Sequence, residues 1–125
     1  MLMSIEITKA ERAIMEALWR EHPLRNGEIA QRVAEDHSWH RKTVSTLVRR
    51  LVDKGAIGFE KGVGGFLYSP LICREDYCLG ETRKIVTELF EGEITPLLAT
   101  FAKSESLSKS DLYELRKLID ELDKQ

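Results

Sequence analysis

A mainly α-helical chain with one small β-hairpin is the fold class that this sequence predicts. Three observations predict it. Apolar residues recur at helical spacing in six segments. Two short alternating runs flank a glycine-rich tip, Gly62-Val63-Gly64-Gly65. Cap and breaker residues separate the segments at the places where helices begin and end. With 125 residues, of which 42% are hydrophobic and 32% charged, the chain is long enough for about one domain with a real core.

The first helix begins at Thr8-Lys9-Ala10-Glu11, a capping box in which Thr8 caps and Glu11 returns a bond. Ala10, Ile14 and Leu18, with Ala13, Met15 and Ala17 beside them, give it an apolar side, and Pro23 stops it after Arg20. His22-Pro23-Leu24-Arg25 reads as an extended connector with room for one short strand. Asn26 is a good N-cap for a second helix, with Glu28 in its first turn and Ile29, Ala30, Val33 and Ala34 facing inward. It ends at Asp36-His37-Ser38.

The third helical segment, Ser38 to Leu51, is the most basic stretch of the chain and contains no acid. Val44, Leu47, Val48 and Leu51 follow the i, i+3, i+4, i+7 pattern of a buried stripe. At about 100° per residue, Lys42, Thr46, Arg49 and Arg50 fall on the opposite side, flanked by Thr43 and Ser45. Taken alone, such a helix suits either a solvated surface or the major groove of DNA. It closes at Lys54-Gly55, where glycine suits a left-handed C′ position. Ile57 and Phe59, then Phe66 and Tyr68, mark the two strands of the hairpin. Helix, short strand, helix, helix, hairpin is the order of a winged helix-turn-helix, with the third helix as reader and the hairpin as wing. The topology favours DNA binding, with a winged-helix protein-interaction module as the alternative.

Pro70-Leu71-Ile72 is the expected boundary between a DNA-binding domain, residues 1–72, and a helical dimerisation region, residues 73–125. Three helical patterns follow. The first runs from Arg74 to about Glu91 and carries Tyr77, Cys78, Ile85, Val86, Leu89 and Phe90. The second carries Ile94, Leu97, Leu98 and Phe101. The third, capped by Ser108 or Ser110, carries Leu112, Leu115, Leu118, Ile119 and Leu122. This tail is too small for a separate core. Its stripes need either the first 72 residues or the same helices of a second copy, and the second copy matches a palindromic DNA site. Ile85, Leu89, Leu97, Phe101, Leu112, Leu115, Leu118, Ile119 and Leu122 are the expected dimer contacts.

Charge and composition narrow the function further. Residues 1–72 carry 11 Lys/Arg against 9 Asp/Glu, and residues 73–125 carry 8 against 12, so a nucleic acid would have to be met by a local patch. No long apolar run or signal-like start is present, and a cytoplasmic protein without membrane insertion is expected; Met1 and Met3 are both possible starts. Cys73 and Cys78 make a weak metal case and read as ordinary residues, so neither a metal nor a cofactor is expected. His22, His37 and His40 form no nucleophile–base–acid pattern, which argues against an enzyme.

The chain resembles the BlaI/MecI family of bacterial repressors, relatives of the copper-responsive repressors. The matching pieces are Thr8-Lys9-Ala10-Glu11 with Ile14-Met15 and Leu18-Trp19; Trp39 with Lys42-Thr43-Val44 and Thr46-Leu47; Arg50-Leu51 with Lys54-Gly55; Phe66-Leu67-Tyr68-Ser69-Pro70; and Leu107-Ser108 with Leu112, Glu114-Leu115 and Leu118-Ile119. The resemblance implies a homodimeric winged-helix repressor on an operator dyad. It implies reading-helix contacts from Lys42, Thr43, Ser45, Thr46 and Arg50, and a wing contact from Lys61. Arg41 and Arg49 are added by their place in the basic segment. For the β-lactam branch it implies inactivation by cleavage after a membrane sensor-protease is triggered, at a bond matching Thr100-Phe101. His40-Arg41 stand where relatives often have Ser-Pro, Ser45 where the methicillin-type relative has Arg, and Thr100 where relatives have Asn. The tail lacks the paired Cys-x-Cys motifs of the copper branch, which argues against sensing of that kind. A metal- or redox-responsive regulator of another kind stays as an alternative.

Overall fold

The computed structural model describes residues 5–125, so the alternative starts Met1 and Met3 lie outside the described residues. Its elements are α1 (Lys9–Arg20), α2 (Asn26–Ala34), α3 (Arg41–Asp53), β1 (Ile57–Gly62), β2 (Gly65–Pro70), α4 (Arg74–Phe90), α5 (Ile94–Lys103) and α6 (Lys109–Asp123). The chain forms two compact units, Met1–Gly80 and Glu81–Gln125, divided within α4.

In the first unit, three helices and the hairpin enclose one core. Ile14, Met15 and Leu18 from α1 meet Ile29 and Val33 from α2, the four apolar residues of α3, and Leu24, Ala56 and Ile57. Each fully buried aliphatic side chain contributes roughly 1.5–3 kcal/mol. The hairpin is antiparallel, with Phe59 opposite Tyr68, Lys61 opposite Phe66 and Gly62 opposite Gly65. Gly64 and Gly65 at its tip have φ of 85° and 125°, values that favour glycine. Leu24 supplies the short strand: its N–H donates to Tyr68 O at 3.0 Å, and the Tyr68 N–H donates to Leu24 O at 2.8 Å.

The helix ends differ from the sequence reading in three places. Asn26 is not the cap of α2. It is already helical, and Arg25 precedes the helix, its N–H donating to Glu28 Oε1 at 2.9 Å. The helix stops at Ala34, and the N–H groups of Asp36 and His37 beyond it both bond to Val33 O. The third helix starts at Arg41, three residues after Ser38, where the sequence places its start. Trp39 instead packs against the core, its ring stacked on His37 with centroids 4.3 Å apart, and His40 caps α3 by accepting the Lys42 N–H. Gly55, at φ 83°, follows the helix as expected.

A feature invisible in the apolar pattern joins α1 to α3. Glu11 accepts the Thr8 N–H at 2.9 Å as the capping box requires, and the same carboxylate oxygen accepts a bond from Lys54 Nζ at 2.6 Å. Lys54 Nζ also donates to Glu6 O at 2.8 Å. Glu11 is 1% exposed, whereas Lys54 keeps 34% of its side chain in solvent. Burial raises the Glu11 carboxyl, but the bonds from Lys54 and Thr8 and the Lys54 charge outweigh it and hold it below the usual value.

In the second unit, Gly92, at φ 83°, ends α4, its N–H bonding to Val86 O. Pro96 sits in the first turn of α5, where no intrahelical donor is lost. Ser108 caps α6 in a capping box with Asp111. Among the described residues, no helix is long and apolar enough to cross a membrane.

The buried pair has an asymmetry that melting curves can check. Lys54→Met strands a buried carboxylate and is expected to cost on the order of 3 kcal/mol, whereas Glu11→Gln, which keeps an acceptor and frees a half-solvated lysine, costs less. Glu11 binds fewer protons folded than unfolded. Its contribution is therefore present above the unfolded value of about 4.3 and disappears as pH falls through the lowered folded value. Glu11→Gln should flatten this acid limb of the stability curve.

Candidate nucleic-acid interface

The interface is built on the side of α3 that the core leaves out. Arg41, Lys42, Thr43, Ser45, Thr46, Arg49 and Arg50 are all exposed. Four buried residues set this outcome, because a helix with Val44, Leu47, Val48 and Leu51 facing inward must turn the rest outward. Arg49, whose direction its position alone leaves open, shares the exposure of Arg50.

These cations are not neutralised. Among the described residues, Arg41, Lys42, Arg49, Arg50 and Lys61 form no ion pair. Elsewhere Arg32 pairs with Glu21 at 3.1 Å and Arg74 with Glu16 at 2.7 Å, the latter raising the Arg74 guanidinium above its ordinary value. Arg32 and Arg74 thus have acidic partners, whereas the cations on the outer face of α3 and Lys61 have none among the described residues.

The start of α2 joins these parts, which sequence reasoning missed. A groove of about 790 Å³ lies between α2, the start of α3 and the wing, lined by Arg25, Asn26, Gly27, Trp39, Arg41, Gly64, Phe66 and Tyr68 among others. Lys61 is paired with Phe66 in register and so stands on the wing face that borders this groove. The Arg25 guanidinium donates to Val63 O at the wing tip at 2.7 Å. Asn26 Nδ2 donates to Ser45 Oγ at 3.0 Å. The Arg41 guanidinium lies over Gly27 so closely that a Cβ there would be 2.5 Å from Nη2. Within α3, Thr46 Oγ1 donates to Lys42 O at 3.0 Å. No local sequence signal marks Arg25 for this role, because Val63 is 38 residues away.

In the second unit, most of the expected dimer residues stand in solvent. Ile85, Leu89, Phe101, Leu112, Leu118, Ile119 and Leu122 are exposed, Leu89 by 72%, while Leu97 and Leu115 are half-buried. A groove of about 670 Å³ between α5 and α6 is lined by Leu98, Phe101, Leu107, Leu115 and Leu118, with Asp111, Glu114, Lys117 and Glu121 at its rim. Thr100 and Phe101 lie inside α5, and Thr100 Oγ1 donates to Pro96 O. In the first unit, Cys73 and Cys78 are not joined in a disulfide, and Cys73 Sγ accepts the Asp76 N–H at 3.4 Å.

The family model described as penicillinase repressor matches residues 7–121. The chain belongs to the penicillinase repressor family. This is a family of transcriptional repressors, not of enzymes. The penicillinase repressor of Bacillus licheniformis is 25% identical over 116 residues, covering 93% of this chain and 91% of that one. The methicillin resistance regulatory protein MecI of Mammaliicoccus sciuri is 27% identical over 115 residues, covering 92% and 94%. Among solved structures, the monomeric form of Bacillus licheniformis BlaI in complex with the blaP half-operator is 30% identical, with a TM-score of 0.54, covering 62% of this chain and 94% of that one. A second solution structure, of the DNA-binding domain of BlaI, matches equally well. The winged-helix fold and the family thus agree with the resemblance drawn from the motifs.

Proposed function

We propose that this penicillinase repressor family member blocks transcription by binding double-stranded DNA at a palindromic operator as a homodimer. The observation that carries the reading is the set of unpaired cations on the outer face of α3 and the adjoining wing. Unpaired charge on an exposed helix face fits a phosphate backbone, and the relative BlaI has been solved with half-operator DNA. In this reading α3 enters the major groove. Arg50 chelates guanine O6 and N7 or clamps a phosphate. Lys42 and Arg41 lie at the start of the helix, where phosphate is favoured. Thr43, Ser45 and Thr46 face the bases, Arg49 adds charge on the same side, and Lys61 reaches the backbone from the wing.

The second unit supplies the twofold. It leaves leucines and isoleucines exposed on α4, α5 and α6, apolar area that a second copy would bury. A C2 pairing of this face presents two reading helices to half-sites one DNA turn or a multiple apart. Relief follows from cutting the Thr100-Phe101 bond after a membrane sensor-protease responds to a β-lactam. The cut separates α6 and the end of α5 from the reading unit. Proteases take extended chain, so α5 opens locally first; it buries no residue of its own, which favours opening.

Three measurements test these claims. Electrophoretic shift against the DNA upstream of its own gene should show binding whose log affinity falls linearly with log salt; Arg50→Ala should weaken it by about 1–3 kcal/mol, and binding indifferent to salt would sink the repressor reading. Leu115→Glu should weaken self-association and operator binding together, and an unchanged dimer by sedimentation would remove Leu115 from the interface. Mass spectrometry of the chain from β-lactam-induced host cells should find one fragment ending at Thr100 and another starting at Phe101; an intact chain in derepressed cells would rule out the cleavage.

A further inference from the structure

Four consecutive residues at the start of α2 each touch a different part of the reading surface. Leu24 pairs with Tyr68 in the stem of the wing. Arg25 reaches the wing tip at Val63 O, and its Nε lies 3.5 Å from where a Cβ on Gly64 would sit. Asn26 holds Ser45 on α3. Gly27, by lacking a side chain, lets the Arg41 guanidinium lie against it. Arg25 and Asn26 are 38 and 19 residues away in sequence from the groups they hold. Neither bond is needed for the core: Arg25 keeps 44% of its side chain in solvent, and Asn26 is only half-buried.

We propose that residues 24–27 form a bracket that fixes the spacing between wing and reading helix, and that Arg25 and Asn26 are positioning residues for operator recognition. The wing tip needs such a hold. Two glycines at positive φ make its backbone permissive, and Val63 itself is 92% exposed. The Arg25 bond to Val63 O is charge-assisted, the stronger kind of hydrogen bond. It ties the strand that carries Lys61 to the helix start that carries Asn26. On α3, the Asn26 bond uses one donor of its amide and takes up an acceptor site of Ser45 Oγ. The Ser45 hydroxyl keeps its own proton to donate. Ser45 therefore acts as half of a pair.

The proposal rests on the operator-binding reading but is tested partly without DNA. In the free protein, Arg25→Ala should speed amide hydrogen exchange across the Gly62–Gly65 turn and leave α1 exchange unchanged. Arg25→Lys, which keeps a donor, should restore much of the protection. Unaltered exchange in the Ala variant overturns the bracket whether or not the protein binds DNA. On the upstream duplex, Arg25→Ala, Lys61→Ala, Asn26→Ala and Ser45→Ala should each weaken binding on the order of tenfold. The pairs Arg25→Ala/Lys61→Ala and Asn26→Ala/Ser45→Ala should lose little more than the worse single variant, and the salt slope should not drop further when Arg25→Ala is added to Lys61→Ala. Fully additive losses would make Arg25 and Asn26 independent DNA contacts and overturn the positioning role. Absence of wild-type DNA binding would instead strike the repressor reading, leaving the exchange result to decide the bracket.

Discussion

Four apolar side chains govern what this protein can show to a partner. Val44, Leu47, Val48 and Leu51 occupy one side of α3, and the core accepts no other rotation of that helix. A turn of one residue, about 100°, would bring Arg49 to a core position and lift an aliphatic residue into water. The cost of burying an unpaired guanidinium exceeds anything a surface contact returns. Rotation is thereby fixed by hydrophobic burial, and the end of the helix by the Lys54 bonds to Glu11 and Glu6. The outer face then follows without further instruction.

Much of this was legible in the sequence because it rests on local chemistry. The Thr8–Glu11 capping box, a serine cap on the last helix, the stripe of α3, the glycines at the wing tip and the order of elements each depend on residues a few positions apart. What stayed hidden depends on residues far apart. Glu11 reads as a cap residue because its other partner, Lys54, is 43 residues away. Arg25 and Asn26 read as a loop end and a cap because nothing local announces Val63 or Ser45. The start of α3 was misplaced because Ser38 and Trp39 precede the basic stripe without a break, and only the His37–Trp39 stack shows that the chain is still turning there.

The two units balance polar and apolar surface in opposite ways. The first hides its apolar residues and leaves cations without partners. The second, Glu81–Gln125, has a full capping box on α6 yet buries only Val86. Good caps make helices; they do not make a core. The helices of the second unit are thus specified as helices before they are specified as a packed body, which is the property expected of elements whose packing partner comes from outside the chain.

The internal bond of Thr46 narrows what its position can say to a base pair. Its hydroxyl proton is spent on Lys42 O, one turn back along α3. What remains pointing outward is a methyl group and oxygen lone pairs. With that bond in place, the position offers an acceptor and a hydrocarbon rather than a donor. A residue that looks like one more polar tooth on the helix has, by virtue of one intrahelical bond, turned its donor inward and left its methyl group and lone pairs on the outside.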